Sequence, residues 1–373
     1  GKIRYLRISE PIGWPYDNVF GGHRYGEDHR YGGPGAERMN LTSWTPIRIL
    51  GDVPVEADGS VQFEAPADTA LYFQLLDEDR MELRRMRSFI SFQPGEARRC
   101  MGCHESRNEA PPPTSRPAMT AQAKRKPAAP IPPPWGGDRP ISFLRDVQPV
   151  LDKHCAGCHA GLNPAGGLDF SGGLLAHDNE VPGYGHNRAF DTILANRLVS
   201  VSEVRAQDAG ITPPYAYGAR KSRLITVLDD ARHGKNVALP AEDKLRLAMW
   251  IDANAPYHDR FVNKRPEIPP YDIAADRELR DTIRQVHARR CAGCHEVDTI
   301  TRLDWIDLAR PPQSRFLMAP LIAADGGSGR CGLAVYQGIE DVDYVRIRAL
   351  VSRAAAQAWE RPRRDLAALN PPR

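Results

Sequence analysis

The sequence predicts an α+β protein, with an N-terminal antiparallel β-sandwich-like domain followed by two mainly α-helical modules. Three observations predict it. Short apolar or alternating runs punctuated by turn residues fill positions 1–104. A proline-rich stretch, 105–140, cannot build a core. Beyond it, apolar residues recur at helical spacing in two segments, 141–262 and 272–360.

In the first domain the strand signals are Ile3–Ile8, Ile47–Leu50, Ser60–Glu64, Ala70–Leu76 and Ser88–Phe92, separated by turns such as Ala57-Asp58-Gly59 and Gln93-Pro94-Gly95. Between them, Gly21–Gly33 is rich in glycine and aromatic residues and writes His-Arg-Tyr-Gly twice, at His23 and at His29. Its composition is that of a loop. In the first helical module Phe143, Val147, Val150 and Leu151 mark one helix, and Pro240 opens a second one with Leu245, Ala248, Met249, Trp250 and Ile251 on its buried side. The second module repeats the arrangement, with helices over Arg277–Arg290 and Tyr344–Trp359, and an extended Arg- and Pro-rich tail at 361–373.

Each part carries one Cys-x-x-Cys-His: Cys100-Cys103-His104, Cys155-Cys158-His159 and Cys291-Cys294-His295. Two thiols at this spacing add across the two vinyl groups of one haem, and the adjacent histidine reaches the iron. The expectation is three covalently attached haem c, one on the β domain and one on each helical module. Zinc is the competing reading, since a Cys-x-x-Cys pair is half of a structural zinc site. Such a site needs a second pair nearby, whereas these motifs lie far apart and each already has its own histidine.

Of seven cysteines six belong to the motifs, which leaves only Cys331. Cys331 reads as a buried small residue, an intermolecular disulfide partner or a thiolate ligand. Net charge is +3, which gives no reason to expect nucleic acid as a partner, and no apolar run is long enough to span a membrane. Haem attachment of this kind points to a periplasmic or extracellular chain. The first residue is Gly1 and no leader pattern follows it, so the expectation is an exported chain already processed.

The stretches 53–107, 143–161 and 245–257, together with Phe316–Leu321, Gly326–Gly332 and Asp341–Ile347, resemble the haem-bearing middle and C-terminal parts of the hydrazine synthase α-subunit family. The run Pro54–Arg107 is the most specific. The resemblance implies a β domain carrying one haem, followed by cytochrome c modules. These residues hold no stretch of the length of that family's β-propeller. The family's catalytic haem uses a Tyr close behind its motif, whereas here Glu105-Ser106-Arg107, Ala160-Gly161-Leu162 and Glu296-Val297-Asp298 follow the three motifs. Hydrazine synthesis is therefore not carried over.

An iron that only passes electrons needs a protein ligand on both faces, and an open face admits a substrate. His104, His159 and His295 supply the first face. Eight further histidines remain, His23, His29, His154, His177, His186, His233, His258 and His287. For the second haem His233 is favoured, in the loop before the Pro240 helix, with His177 and His186 as rivals. For the third, Met318 in Phe-Leu-Met-Ala-Pro-Leu is either a thioether ligand or a core residue. For the first, His23 and His29 are ligands, holders of a divalent metal, or solvated loop residues. Arg24 or Arg30 can pair with haem propionates, since a guanidinium matches carboxylate geometry. His154 and His287 sit on the helices entering the second and third motifs, where each either ligates a neighbouring haem or packs locally. Tyr215 and Tyr217 pack on a haem edge or in an ordinary core.

The expected function is electron transfer by a non-enzymatic triheme cytochrome that meets redox partner proteins or extracellular acceptors. A variant of it is a self-assembling conducting filament, with His23 or His29 donated in trans to a neighbouring subunit. The alternative is a haem enzyme that acts on a small nitrogen or oxygen compound at an open iron.

Overall fold

A computed structural model describes residues 2–12, 45–86, 88–98, 127–176, 186–201, 213–231, 233–237, 239–260, 271–297, 303–362 and 366. Its elements are four strands, β1 (Tyr5–Pro11), β2 (Ile47–Pro54), β3 (Tyr72–Leu76) and β4 (Glu82–Arg85), and seven α-helices among the described residues. The helices are α1 (Gln148–His154), α2 (Arg188–Ala195), α3 (Arg223–Thr226), α4 (Ala241–Asp252), α5 (Arg277–Val286), α6 (Arg315–Met318) and α7 (Val342–Glu360). The fold is mixed α+β.

The strands form one antiparallel sheet in the order β2-β1-β3-β4. The expected sandwich is thus corrected to a single sheet among the described residues. Ser60–Glu64 and Ser88–Phe92 do not become strands. They give only isolated bridges, Phe63 to Ala128 and Ile90 to Leu71. Charge hides β4 from a reading of apolar alternation. It reads Glu-Leu-Arg-Arg, yet Glu82 and Arg85 are buried, because each is answered by opposite charge inside the fold.

On one face of the sheet Ile8, Val53 and Leu71 form a small apolar cluster with Phe63 and Phe73 against it. The second half of the proline-rich stretch joins this layer. Ile131 exchanges two backbone hydrogen bonds of 2.9 Å with Asp52, and Ala128 N–H donates to the Gln62 carbonyl at 2.8 Å. Gly51 makes the approach possible, since a Cβ there would lie 2.7 Å from the Ile131 carbonyl oxygen. Gly51→Ala is expected to destabilise the protein by about 1–3 kcal/mol, the range of an overpacked site, measurable as a lower denaturant midpoint with unchanged slope.

The described residues divide into two compact units. The first takes those up to Cys155 and those of 193–260; the second takes those of 156–192 and those from 271 onward. The boundary therefore falls inside the second haem motif.

In the first unit the polar face of the sheet carries a buried charge cluster. Arg7 grips Asp52 with two bonds of 2.8 and 3.2 Å, and Arg80 reaches the same carboxylate at 2.7 Å. Asp252, which ends α4, accepts from the Ala219 N–H at 2.7 Å and the Glu82 N–H at 3.0 Å. Arg85 donates to Glu82, to the Asn254 side chain and to the Asp252 carbonyl. Three cations face three carboxylates, so the cluster is balanced. Beside it Phe143 stacks on Tyr257 and tilts against Trp250, whose indole N–H donates to the Pro256 carbonyl.

In the second unit α5 and α7 supply the core. Leu279, Ile283 and Val286 of α5 meet Ile347, Leu350, Val351, Ala354 and Ala358 of α7 with Leu317 of α6. Their spacing of three and four residues puts each set on one helix face. Each fully buried Leu, Ile or Val contributes about 1.5–3 kcal/mol. Both helices are capped by aspartate. Asp276 accepts from the Leu279 N–H at 3.0 Å and Asp341 from the Asp343 N–H at 3.0 Å.

Candidate haem sites

The first motif, Cys100, Cys103 and His104, lies outside the described residues, as do His23, His29, Arg24, Arg30 and His177.

A π turn (Phe143–Val147) runs directly into α1, which delivers the second motif. Val150 and Leu151 bury the inner face of α1, and the Cys155 N–H closes the helix on the Leu151 carbonyl at 2.9 Å. Cys155 is half-buried and Cys158 exposed. After the motif the chain turns back on itself. Ala165 N–H donates to the Cys158 carbonyl at 2.9 Å, and Phe170 N–H to the His159 carbonyl at 2.6 Å. His159 Nδ1 lies 2.9 Å from the Ala165 carbonyl. A carbonyl only accepts, so Nδ1 carries a proton in this contact. That is what an iron ligand through Nε2 needs, fixed by a backbone partner. Phe170 packs on the imidazole at 5.2 Å. The residues present fit a covalently attached haem.

The third motif follows α5 through a second π turn, His287–Cys291. The widened turn directs the buried His287 so that its Nε2 meets the His295 carbonyl at 2.5 Å. Cys294 and His295 N–H groups both point to the Cys291 carbonyl at 3.0 Å. Arg290, just before Cys291, donates to Asp341 and to the Val335 carbonyl at 2.8 and 3.0 Å, which ties the motif to the start of α7. This guanidinium and the backbone bonds of the cap hold Asp341 below the usual carboxylate range against the opposing effect of its burial. Cys291 packs on the α5–α7 core, and burial, with Cys331 nearby, pushes its thiol up.

The candidate distal ligands are spread over both units. His154 is engaged elsewhere, its Nε2 lying 2.9 Å from an Asp243 carboxylate oxygen of α4. His233 is partly exposed, with Nδ1 at 3.3 Å from Asp230, a carboxylate–imidazole pair of the kind that orients ligands. His186 is buried, with Nδ1 at 3.3 Å from Asp191 and its ring 4.6 Å from Phe190. Met318 is partly buried at the end of α6. His258 is buried edge-on against Tyr257 at 4.9 Å. Tyr215 N–H donates to the Leu83 carbonyl at 3.0 Å, so its backbone sits beside β4.

Among the described residues no group of three or more His, Cys, Asp or Glu is arranged to hold a metal ion. No described helix is long and apolar enough to cross a membrane. Sequence reasoning missed Asp243, the Ala165 carbonyl and Phe170. None carries a local signal, because each acts through a contact that only folding creates.

Residues 1–105 match the family model described as hydrazine synthase alpha subunit middle domain. The match ends directly after the first Cys-x-x-Cys-His. Among curated proteins the chain is 24% identical to hydrazine synthase subunit alpha of Kuenenia stuttgartiensis, over 59% of this chain and 34% of the relative. The chain thus spans about a third of the length of that relative. Among solved structures it is similar to a Kuenenia stuttgartiensis hydrazine synthase chain, with 19% identity, a TM-score of 0.43, and coverage of 70% of this chain and 40% of that one. A score of that size does not establish a shared fold.

The matches correct one expectation. They point to an enzyme family, not to a non-enzymatic electron carrier. The physical reason is that Cys-x-x-Cys-His reports an attached haem and is silent on whether any iron keeps an open face.

Proposed function

We propose that this chain is the haem-bearing part of a c-type redox enzyme, with three attached haems, which acts on a small nitrogen or oxygen compound at an iron with one open face. The observation that carries the reading is the family match over residues 1–105, which takes in the first motif and is followed by two further motifs of the same kind. Haem c supplies reversible one-electron chemistry and, where one axial position is open, a place for a small molecule. The chain's own residues do the rest. The cysteine pair of each motif would hold one ring. The Ala165 carbonyl holds a proton on His159 Nδ1, which would leave Nε2 as the atom to hold the iron. His287, with its proton on Nε2, anchors the backbone of His295. Phe170 packs on one side of the His159 ring. His154, bound to Asp243, serves in this reading as a strut between α1 and α4.

The attachment chemistry favours a chain matured outside the cytoplasm, served by redox partner proteins. Axial ligation in trans through His23 or His29 has no supporting observation, because both lie outside the described residues. The test is a stopped-flow survey of the haem-loaded protein, ferrous and ferric, against hydroxylamine, nitric oxide, nitrite and peroxide. The expected result is rapid, saturable oxidation or reduction of bound haem by at least one of them, with a nitrogen or oxygen product in stoichiometric yield. Haems that stay inert to all four would overturn the enzyme reading.

A further inference from the structure

The stretch that follows His159 is built into the module of the third motif, and both belong to the second compact unit. Leu308 N–H donates to the Leu174 carbonyl at 2.7 Å, Ala176 N–H donates to the Ile306 carbonyl at 3.0 Å, and Leu175 bridges to Asp307. Leu174 and Ala176 are buried in the same apolar core as Leu279, Ile283 and Val286 of α5, the helix that leads into Cys291. Arg188, which opens α2, faces Asp169 at 3.5 Å and Asp307 at 3.9 Å, one carboxylate from each side of this seam.

A second tie runs closer to the motifs. The Arg330 guanidinium donates to the carbonyl of Leu162, just past His159. A few residues further on, the Val335 carbonyl accepts from Arg290, the residue before Cys291, at 3.0 Å. Leu162 and Leu333 flank this tie and are 51% and 59% exposed. Large apolar side chains left in water beside two cofactor-attachment motifs are the kind of surface that a flat apolar ring covers. The loop 326–333 therefore joins the two motifs, and Arg330 is its point of contact.

We propose that the second and third haems form an electron-exchanging pair, with Arg330 as the positioning residue that holds the loop of the second motif against that of the third. The proposal rests on the haem reading above. The step is a one-electron exchange in which Fe(II) and Fe(III) trade states, with no bond made or broken and no proton moved. A shared core keeps the pair at fixed spacing, and partial burial lets the charge on one iron alter the potential of the other.

The experiment uses the full chain with haem attached, counted first by intact mass and peptide mapping. Reductive titration with electron paramagnetic resonance is then run on the wild type, Arg330→Ala, Arg330→Lys and a C291S/C294S variant. Arg353→Ala serves as a control, because it removes an exposed guanidinium paired with Asp276 and Glu278 in the same unit. The wild type is expected to show the second haem's midpoint depending on the oxidation state of the third, with mutually broadened signals. Arg330→Ala should weaken both effects, Arg330→Lys should keep part of them, and Arg353→Ala should leave them unchanged. In C291S/C294S the second haem should titrate as a single independent centre. If Arg330→Ala does not fold, that variant decides alone. Full haem occupancy with a second haem whose midpoint and line shape ignore the loss of the third would overturn the pair. A chain lacking haem at either motif would instead overturn the haem reading, and the pair with it.

Discussion

Asp252→Ala is expected to destabilise the first unit by about 3–5 kcal/mol, the range for removing one partner of a buried charge pair. Asp252 is fully buried at the end of α4. Its two oxygens accept from the backbone of Ala219 and Glu82 and face Arg7 at 3.5 Å. The variant leaves two N–H groups unanswered and, above pH 7, three cations against two carboxylates. Gly218 adds to the constraint, since a Cβ there would lie 2.7 Å from an Asp252 oxygen at a φ of +87°. Asp252→Asn keeps the shape and an acceptor, so it should cost less than half as much.

The pH dependence separates the two variants further. Burial, then the Glu82 carboxylate, pushes Asp252 up from 3.8 to about 7, against the pull of Arg7. A carboxyl whose pKa is raised on folding binds its proton more tightly in the folded chain. Its stabilising contribution is complete below the unfolded value near 3.8 and is lost as pH rises through about 7. Urea unfolding between pH 4 and pH 8 should show that decline in the wild type and not in Asp252→Asn.

The second large effect concerns the second motif. If the second motif holds a haem as proposed, both thiols remain in His159→Ala, so the haem would stay attached while the iron would lose its nitrogen ligand. The expected result is an unchanged haem count with a new high-spin ferric fraction of about one third of the total, since one of three motifs is altered. Cys155→Ser with Cys158→Ser should instead remove one haem of three, lowering haem absorbance per chain by about a third. A spectrum that His159→Ala leaves unmoved would contradict the assignment of His159 as ligand.

Much of this arrangement was legible in the sequence. Helical spacing located α4, α5 and α7, and the second and third motifs fall at helix ends, because sequence motifs and apolar periodicity are both local signals. β1 to β3 were visible from alternation, but β4 was not, because its burial depends on Asp252 and Asn254, far along the chain. The stretch 127–140 read as linker by its prolines, yet extended backbone is free to pair with a sheet edge, as Ile131 does with Asp52. The Cys-x-x-Cys-His motifs are legible for the same reason as the helices. The partners that tune them are not. Asp243, Ala165 and Phe170 carry no motif, and the role of Arg330, although it lies in the family-like stretch Gly326–Gly332, arises like theirs from tertiary contacts.

The proposed function requires attached haem with at least one reactive iron. The most direct measurement is the optical spectrum of the haem-counted protein, ferric and ferrous, with and without carbon monoxide. The expected result is three haems per chain and a ferrous fraction of about one third that binds carbon monoxide. Three low-spin haems that ignore carbon monoxide, or a chain that matures without haem, would contradict it.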